Sequence, residues 1–250
     1  MIQLQAVERP TELTDELVKK LTDKYNQATD KKPSVWKKEY ITEALLRMSF
    51  DKCCFCECKV DEEGKYPEVE HFHPKSLYPD EVILWKNLLP ICSRCNKKKS
   101  NHDTKQDPII HPIRNNPKEH LKLKNFRLHD VTQLGKKTVA VVYLNDRKRL
   151  VDKRYDIGTR LSEALEKLLK YIEKSDILNL VEERNEAAGT LESLMLEGTK
   201  EYEYSATAAT TILNDPNYSE IKNLFEDCKL WSDEFKTLEK QVQYCALDSQ

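Results

Sequence analysis

Two cysteine pairs in this sequence have the spacing of metal ligands. Cys53 and Cys56 form one Cys-x-x-Cys pair, and Cys92 and Cys95 form a second pair after 35 intervening residues. A Cys-x-x-Cys pair places two thiolates on one side of a tight turn, and two such pairs complete a tetrahedral zinc site. We therefore predict that these four cysteines bind one structural Zn²⁺.

Other uses of the cysteines are less compatible with the sequence. A disulfide framework needs an oxidising compartment, whereas the first residues do not resemble an export signal, so we expect a cytoplasmic protein. A thioredoxin-like site would use one Cys-x-x-Cys motif beside a βαβ unit. The ligands of the first pair stay open, because Cys54 and Cys58 form an alternative pair nearby. Cys228 and Cys245 fall in predicted helix and are expected to be buried as apolar residues.

The segment between the two pairs carries groups suited to phosphodiester hydrolysis. Residues 68–76 have the sequence Glu-Val-Glu-His-Phe-His-Pro-Lys-Ser and predict a short strand with Glu70 and His71 at its end. Asn87 starts a predicted return strand, and the second cysteine pair starts a helix with Asn96 in its first turn. Two strands and a helix tied by zinc would form a ββα unit.

Hydrolysis of a phosphodiester needs a general base for water and a Lewis acid for the developing charge. His71 is the natural base, because an imidazole titrates near neutral pH. Glu70 and Asn96 offer the hard oxygen ligands that Mg²⁺ prefers. Asn87 would brace the loop that carries His71 through backbone hydrogen bonds.

Several assignments in this segment have alternatives. His73 could replace His71 as the base, and His102 could replace Asn96 as a metal ligand. His71 could also lie beside the zinc site without a catalytic role. His111, His120 and His129 are expected to be structural.

Basic residues cluster next to the predicted site. Lys75 follows the first strand, and Lys97, Lys98 and Lys99 lie on the predicted helix, where they could bind phosphates that flank the scissile bond. Residues 97–160 hold 17 Lys and Arg against 7 Asp and Glu, a balance of +10, so the rest of the chain sums to −12. This asymmetry fits a polyanion-binding face attached to acidic helices, although scattered solvated lysines would explain it equally well.

The remaining residues predict a mainly α fold class, with a small ββα-metal module and a C-terminal helical bundle. Helices are predicted from apolar spacing over residues 11–28, 34–48, 147–173, 176–197 and 217–246. The β-branched run 138–144 predicts one short extra strand. Three regions are expected, namely 1–50 (helical), 51–130 (the zinc module) and 131–250 (mostly helical). No apolar run approaches the ~18 residues that a membrane helix needs.

The motifs of this segment resemble those of the HNH endonucleases. Glu-His, then Trp-x-Asn-Leu, then Cys-x-x-Cys-Asn-x-x-Lys is similar to the HNH motif with its structural zinc, and Asn87 precedes Asn96 by nine residues as is usual in that family. The resemblance implies an HNH module over 51–130, with His71 as base, Asn87 as brace, and Glu70 and Asn96 as ligands of Mg²⁺. Asn96 stands where many members have His, an arrangement similar to the HNH domains of CRISPR effectors.

A wider resemblance extends outside the motif. The two leading helices, Glu-His-Phe-x-Pro-Lys-Ser, and Leu-Asn-Asp-Arg-Lys-Arg-Leu at 144–150 resemble the PtuB nuclease subunits of Septu and related retron anti-phage systems. This implies a DNA endonuclease that works with an ABC-type ATPase (PtuA-like). The chain has only five glycines and no P-loop motif, so nucleotide control would come from that partner. Cleavage of tRNA or other RNA by the same site, or a non-catalytic zinc-dependent nucleic-acid-binding module, stay open as alternatives.

Overall fold

The computed structural model describes residues 1–60 and 67–249, which form two compact units. One, called here the mixed unit, contains Gln3–His120 and Asp130–Leu144. The other, the helical unit, contains Met1–Ile2, Leu121–His129 and Asn145–Gln250. Helix dominates the described residues, which confirms the predicted mainly α fold. None of the helices in these described ranges combines the length and hydropathy needed to cross a membrane.

The mixed unit begins with two helices that start later than predicted. Helix α1 spans Asp15–Gln27, because the Thr14 hydroxyl accepts a hydrogen bond from Leu17 N and so caps the helix. Helix α2 spans Glu39–Ser49. Residues 34–38, which were predicted to be helical, form a turn before α2 instead.

A two-stranded sheet and a short helix follow, in the predicted order. Strand β1 (Glu68–His71) pairs antiparallel with β2 (Leu88–Ile91), with His71 opposite Leu88. Every residue of β2 is buried, because this strand packs against α2 and belongs to the apolar core of the unit. Helix α3 (Ser93–Lys99) starts directly after β2 and lies against β1.

The strand predicted over 138–144 is wrong. Helix α4 covers Gln133–Val141, and the Thr132 side chain caps its start by accepting from Gly135 N. The Thr138 hydroxyl donates to the Leu134 carbonyl within the helix and accepts from Ile110 N, so it is satisfied by the helical conformation. A continuous apolar run has no period, and here the tertiary contacts select the helix.

The helical unit starts with a hairpin that the sequence analysis missed. Strands β3 (Leu121–Lys124) and β4 (Arg127–Asp130) are joined by Asn125 and Phe126, both with positive φ, as a type I′ hairpin turn requires. The alternation of Leu and Lys along β3 was the signal available in the sequence. Gly158 lies under this turn, where an added Cβ would come within 2.2 Å of the Phe126 ring.

Five α-helices follow within the described residues of this unit. They are α5 (Asp152–Lys174), α6 (Val181–Leu196), α7 (Ser205–Asn214), α8 (Pro216–Asp227) and α9 (Asp233–Cys245). The single helix predicted over 217–246 is therefore two helices. The chain breaks at Lys229, which has a φ of 57°, and Ser232 then caps α9 through a hydrogen bond from Phe235 N.

Candidate metal centre and active site

The four predicted zinc ligands lie together. The sulfur atoms of Cys53, Cys56, Cys92 and Cys95 are all within 4.8 Å of one another. The Sγ atoms of Cys56 and Cys92 are 3.7 Å apart. A tetrahedral site with Zn–S bonds of about 2.3 Å has S–S edges of about 3.8 Å, so this spacing fits zinc.

The local backbone explains how each pair reaches the cluster. In the first turn, Cys53 N donates to the Cys58 carbonyl, and Glu57 has a left-handed φ of 66°. In the turn of the second pair, Cys92 caps the start of α3, and its sulfur accepts a hydrogen bond from Cys95 N. The cluster therefore joins the turn that precedes β1 to the first turn of α3.

The crowding of the sulfurs also favours a cation. Hydrogen bonding with the Cys53 sulfur is the main cause that raises the pKa of the Cys56 and Cys95 thiols, and hydrogen bonding with the Cys53 and Cys56 sulfurs lowers the pKa of the Cys92 thiol. Four thiolates cannot share this buried space without a positive charge, and a zinc ion supplies it.

Two of the remaining cysteines, Cys54 and Cys58, border this group of four, and the other two lie in the helical unit. Cys58 has its sulfur 3.5 Å from that of Cys56, and burial raises the pKa of the neighbouring Cys54 thiol. In the helical unit, Cys245 is buried as predicted, whereas Cys228 at the end of α8 is only half-buried.

His71 lies at the end of β1 with its imidazole buried. Its Nε2 is 2.9 Å from the carbonyl oxygen of Val82. Because a carbonyl only accepts, Nε2 must carry the proton and Nδ1 is the basic nitrogen. The indole of Trp36 packs edge-on against the imidazole, at 4.7 Å between ring centroids. Burial, with a smaller contribution from Lys75, lowers the pKa of His71 to about 3, so the ring is neutral at physiological pH. The buried imidazole is therefore a weaker base than the near-neutral one that the sequence led us to expect.

Asn87 joins two loops around His71. Its Oδ1 accepts from His73 N at 2.7 Å, and its Nδ2 donates to the carbonyls of His73 and Glu81. The side chain is buried, and Phe72 N donates to the Asn87 carbonyl. The loop that follows β1 is thus held by both ends of one amide.

The two alternative histidines make contacts of their own. Thr104 donates its hydroxyl hydrogen to the Phe72 carbonyl, so His73 Nδ1, at 2.8 Å, must donate to the Thr104 oxygen. His102 has its Nε2 2.7 Å from the Asp107 carbonyl. One ring nitrogen of His73 therefore contacts a side-chain hydroxyl, and one ring nitrogen of His102 contacts local backbone.

Helix α3 contacts two carboxylates on one face of β1. Asn96 Nδ2 donates to Glu68 at 2.5 Å, and Lys99 Nζ is 2.5 Å from Glu70 Oε1. Strand geometry puts residues two apart on the same face, which was the signal that could have identified Glu68. Of these two carboxylates, only Glu70 was predicted from the sequence as a metal ligand together with Asn96, whereas the Asn96 side chain hydrogen-bonds Glu68.

The prediction that Lys99 contacts phosphate is wrong. Its side chain is fully buried, and its ammonium group binds Glu70 and donates to the His71 carbonyl at 3.2 Å. Burial raises the pKa of Glu70, and the ammonium group of Lys99 opposes that shift. Lys99 therefore holds the end of β1 from inside the unit.

The other predicted lysines remain accessible. Lys97 and Lys98 are exposed on α3, and Lys98 Nζ lies 4.8 Å from the Tyr143 ring centroid. Lys75 is half-buried beside a cleft of about 580 Å³. The residues that line this cleft are Trp36, Lys37, Lys38, Glu39, Thr42, Pro67, Glu68, Val69, Lys75 and Asn96.

Protein purified without chelators should contain one zinc ion per chain, because the four sulfurs match a tetrahedral site. Replacing Cys56 with Ser should remove most of the zinc, measured by elemental analysis. Replacing Cys228 with Ser, far from the cluster in sequence, is the matched control and should retain it. Zinc-free wild-type protein, or full zinc in the Cys56→Ser variant, would contradict the assignment.

Replacing Lys99 with Met should lower the free energy of unfolding by about 3–5 kcal/mol, because it leaves the buried Glu70 carboxylate unpaired. Urea denaturation measures this loss. The double variant Glu70→Gln/Lys99→Met should recover much of it, since the uncompensated charge is gone. Lys98→Met, at the exposed neighbour, should cost less than about 1 kcal/mol. Equal effects of Lys99→Met and Lys98→Met would show that the buried ion pair is not structural.

Comparison with known proteins places the chain in a family. No protein-family model and no solved structure matches it. It is 42% identical over 246 residues to a Septu protein PtuB of Bacillus thuringiensis, covering 95% of this chain and 92% of that protein. It is 24% identical to a Septu protein PtuB of Bacillus mycoides (strain KBAB4), covering 82% of this chain and 83% of that protein. With this identity over nearly the full length of both proteins, the chain belongs to the PtuB family of Septu proteins.

Proposed function

We propose that this chain is a metal-dependent HNH endonuclease that hydrolyses phosphodiester bonds of DNA. The observation that carries the proposal is the ββα arrangement at β1, β2 and α3, with His71 at the end of β1 and the sulfur cluster at the start of α3. The cleft beside this arrangement carries Lys75, Glu68 and Asn96. A histidine base, oxygen ligands and a cationic group are the parts that phosphodiester hydrolysis needs.

In the proposed mechanism His71 Nδ1 takes the proton of the attacking water. The Val82 carbonyl keeps the other nitrogen protonated, which leaves Nδ1 free to act as the base. Asn87 holds the backbone that follows His71, so that the imidazole keeps one orientation. Lys75, Lys97 and Lys98 would contact phosphates next to the scissile bond.

The oxygen groups near α3 are of the kind that Mg²⁺ prefers, and a bound ion would have to take Glu70 from its ion pair with Lys99. Glu70 and Asn96 would hold it, and Glu68, which hydrogen-bonds Asn96, adds a third oxygen donor close by. When bound, Mg²⁺ would neutralise charge that develops on the phosphate during hydrolysis. Zinc at the four cysteines would have a structural role only, since four sulfurs leave no open coordination position.

The PtuB relatives supply the biological context of the proposal. A Septu protein acts in anti-phage defence, and we propose the same role for this chain in the cytoplasm, together with an ABC-type ATPase encoded by a neighbouring gene. Restraint by a partner is also expected on physical grounds, because a nuclease with a pre-formed base would endanger the DNA of its own cell.

Purified protein incubated with plasmid DNA and with tRNA, each in Mg²⁺ and in EDTA, distinguishes the candidate functions. Cleavage of plasmid that requires Mg²⁺ supports the proposal. Cleavage of tRNA alone would assign the same site to RNA. Binding of either nucleic acid without cleavage, in the presence of the ATPase partner and ATP as well, would indicate a zinc-dependent binding module.

Replacing His71 with Ala should reduce the cleavage rate by about 10²–10⁴-fold, the contribution typical of a general base. The rate is measured on supercoiled plasmid with Mg²⁺ in excess. Zinc content should stay at one ion per chain, because His71 is not a ligand. His129→Ala, at an exposed histidine of β4, is the control and should cut at the wild-type rate. A His71→Ala protein that cuts as fast as wild type would refute the mechanism.

Co-expression with the neighbouring ATPase should give a complex that elutes as one species in size-exclusion chromatography. Nuclease activity of that complex should change with ATP, since the chain has no P-loop of its own. Separate elution, combined with activity that is indifferent to ATP, would exclude the proposed partner.

A further inference from the structure

The cleft beside β1 has a second wall, which comes from the N-terminal part of the mixed unit. Residues 34–38 form the turn before α2, and Trp36, Lys37 and Lys38 of that turn all line the cleft. This turn lies more than 25 residues before the HNH-like motif in the sequence, so spacing within the motif gives no sign of it.

Aromatic contacts tie this turn to the proposed catalytic residue. The Trp36 indole packs edge-on against His71 at 4.7 Å and against Tyr25 at 6.2 Å, measured between ring centroids. The Lys75 ammonium group lies 4.8 Å from the centroid of the same indole. Val35, next to Trp36, is buried in the apolar core. The backbone that carries Lys37 and Lys38 is therefore held close to His71.

The charges at the cleft favour an anionic ligand on this wall. Lys37 and Lys38 are exposed, so their ammonium groups can reach a ligand in the cleft. Two carboxylates also line the cleft, and one of them, Glu68, accepts a hydrogen bond from Asn96. Glu39 follows Lys38 at the first position of α2, where the helix dipole favours a negative charge. The lysines of the turn and Lys75 thus outnumber the carboxylates.

We propose that Lys37 and Lys38 bind the phosphate backbone of the nucleic acid substrate, together with Lys75, and so place a phosphodiester bond beside His71. The inference rests on the proposed nuclease function and adds the part of the chain that holds the substrate. A backbone contact of this kind positions the strand without reading its bases. It applies to the phosphodiester chemistry that DNA and RNA share.

Binding measurements in a His71→Ala background separate this inference from catalysis. Fluorescence anisotropy with a labelled DNA duplex and a labelled RNA hairpin, each at several salt concentrations, gives the affinity and its salt dependence. Adding Lys37→Glu/Lys38→Glu should weaken binding of the preferred nucleic acid by about tenfold or more. The slope of log K against log[salt] should become less steep by about 1.8, the value for two lost phosphate contacts on a duplex.

A matched control removes the effect of net charge. Lys19→Glu/Lys20→Glu changes the same number of charges at two exposed lysines of α1 that do not line the cleft, and it should leave the affinity within about twofold of the parent. Zinc content and circular dichroism verify that each variant is folded.

Equal weakening by the two double variants, or no weakening by either, would overturn the inference even if wild-type protein cleaves DNA. Failure of the His71→Ala parent to bind either nucleic acid at low salt would overturn it as well. Binding that depends on Lys37 and Lys38 without cleavage by the wild-type protein would instead contradict the proposed function and keep the inference.

Discussion

The site depends on one constraint, which is that four cysteine sulfurs from two separate turns lie together in one group. The ββα unit has two four-residue strands and a seven-residue helix, which is too little apolar surface to hold a fold alone. The Cys53–Cys56 turn and the start of α3 meet at the cluster, and Cys54 N also donates to the Pro90 carbonyl of β2. A metal ion there would fix where α3 lies on β1, and therefore which side chains face each other.

Buried polar contacts then set the arrangement around His71. Val82 selects the tautomer, Asn87 holds the following backbone, and Lys99 binds both Glu70 and the His71 carbonyl. Each contact lies within the mixed unit and satisfies a group that would otherwise be costly to bury. The result is an imidazole with one defined basic nitrogen, next to a cleft whose lysines come from segments distant in the sequence.

The parts of the fold that follow from local spacing could be predicted, and the parts that depend on tertiary contacts could not. The cysteine pairs predicted the cluster because ligand spacing is a local property, and the short strands and α3 followed in the expected order. The run at 138–144 has no period and was mistaken for a strand. The pairing of Asn96 with Glu68, and the burial of Lys99 within a run of three lysines, depend on how α3 lies on β1. Strand spacing puts Glu68 and Glu70 on one face of β1, but it does not say which of them contacts Asn96 or that Lys99 is buried.

The central claim is that the four cysteines form a closed structural zinc site that supports the site around His71. X-ray absorption at the zinc edge of the purified protein tests it most directly, because it counts the ligands of the bound ion. The account predicts four sulfur ligands at about 2.3 Å and no oxygen or nitrogen ligand. Two or three sulfurs with a bound oxygen would contradict it, since the zinc would then have an open position and could itself be the catalytic ion.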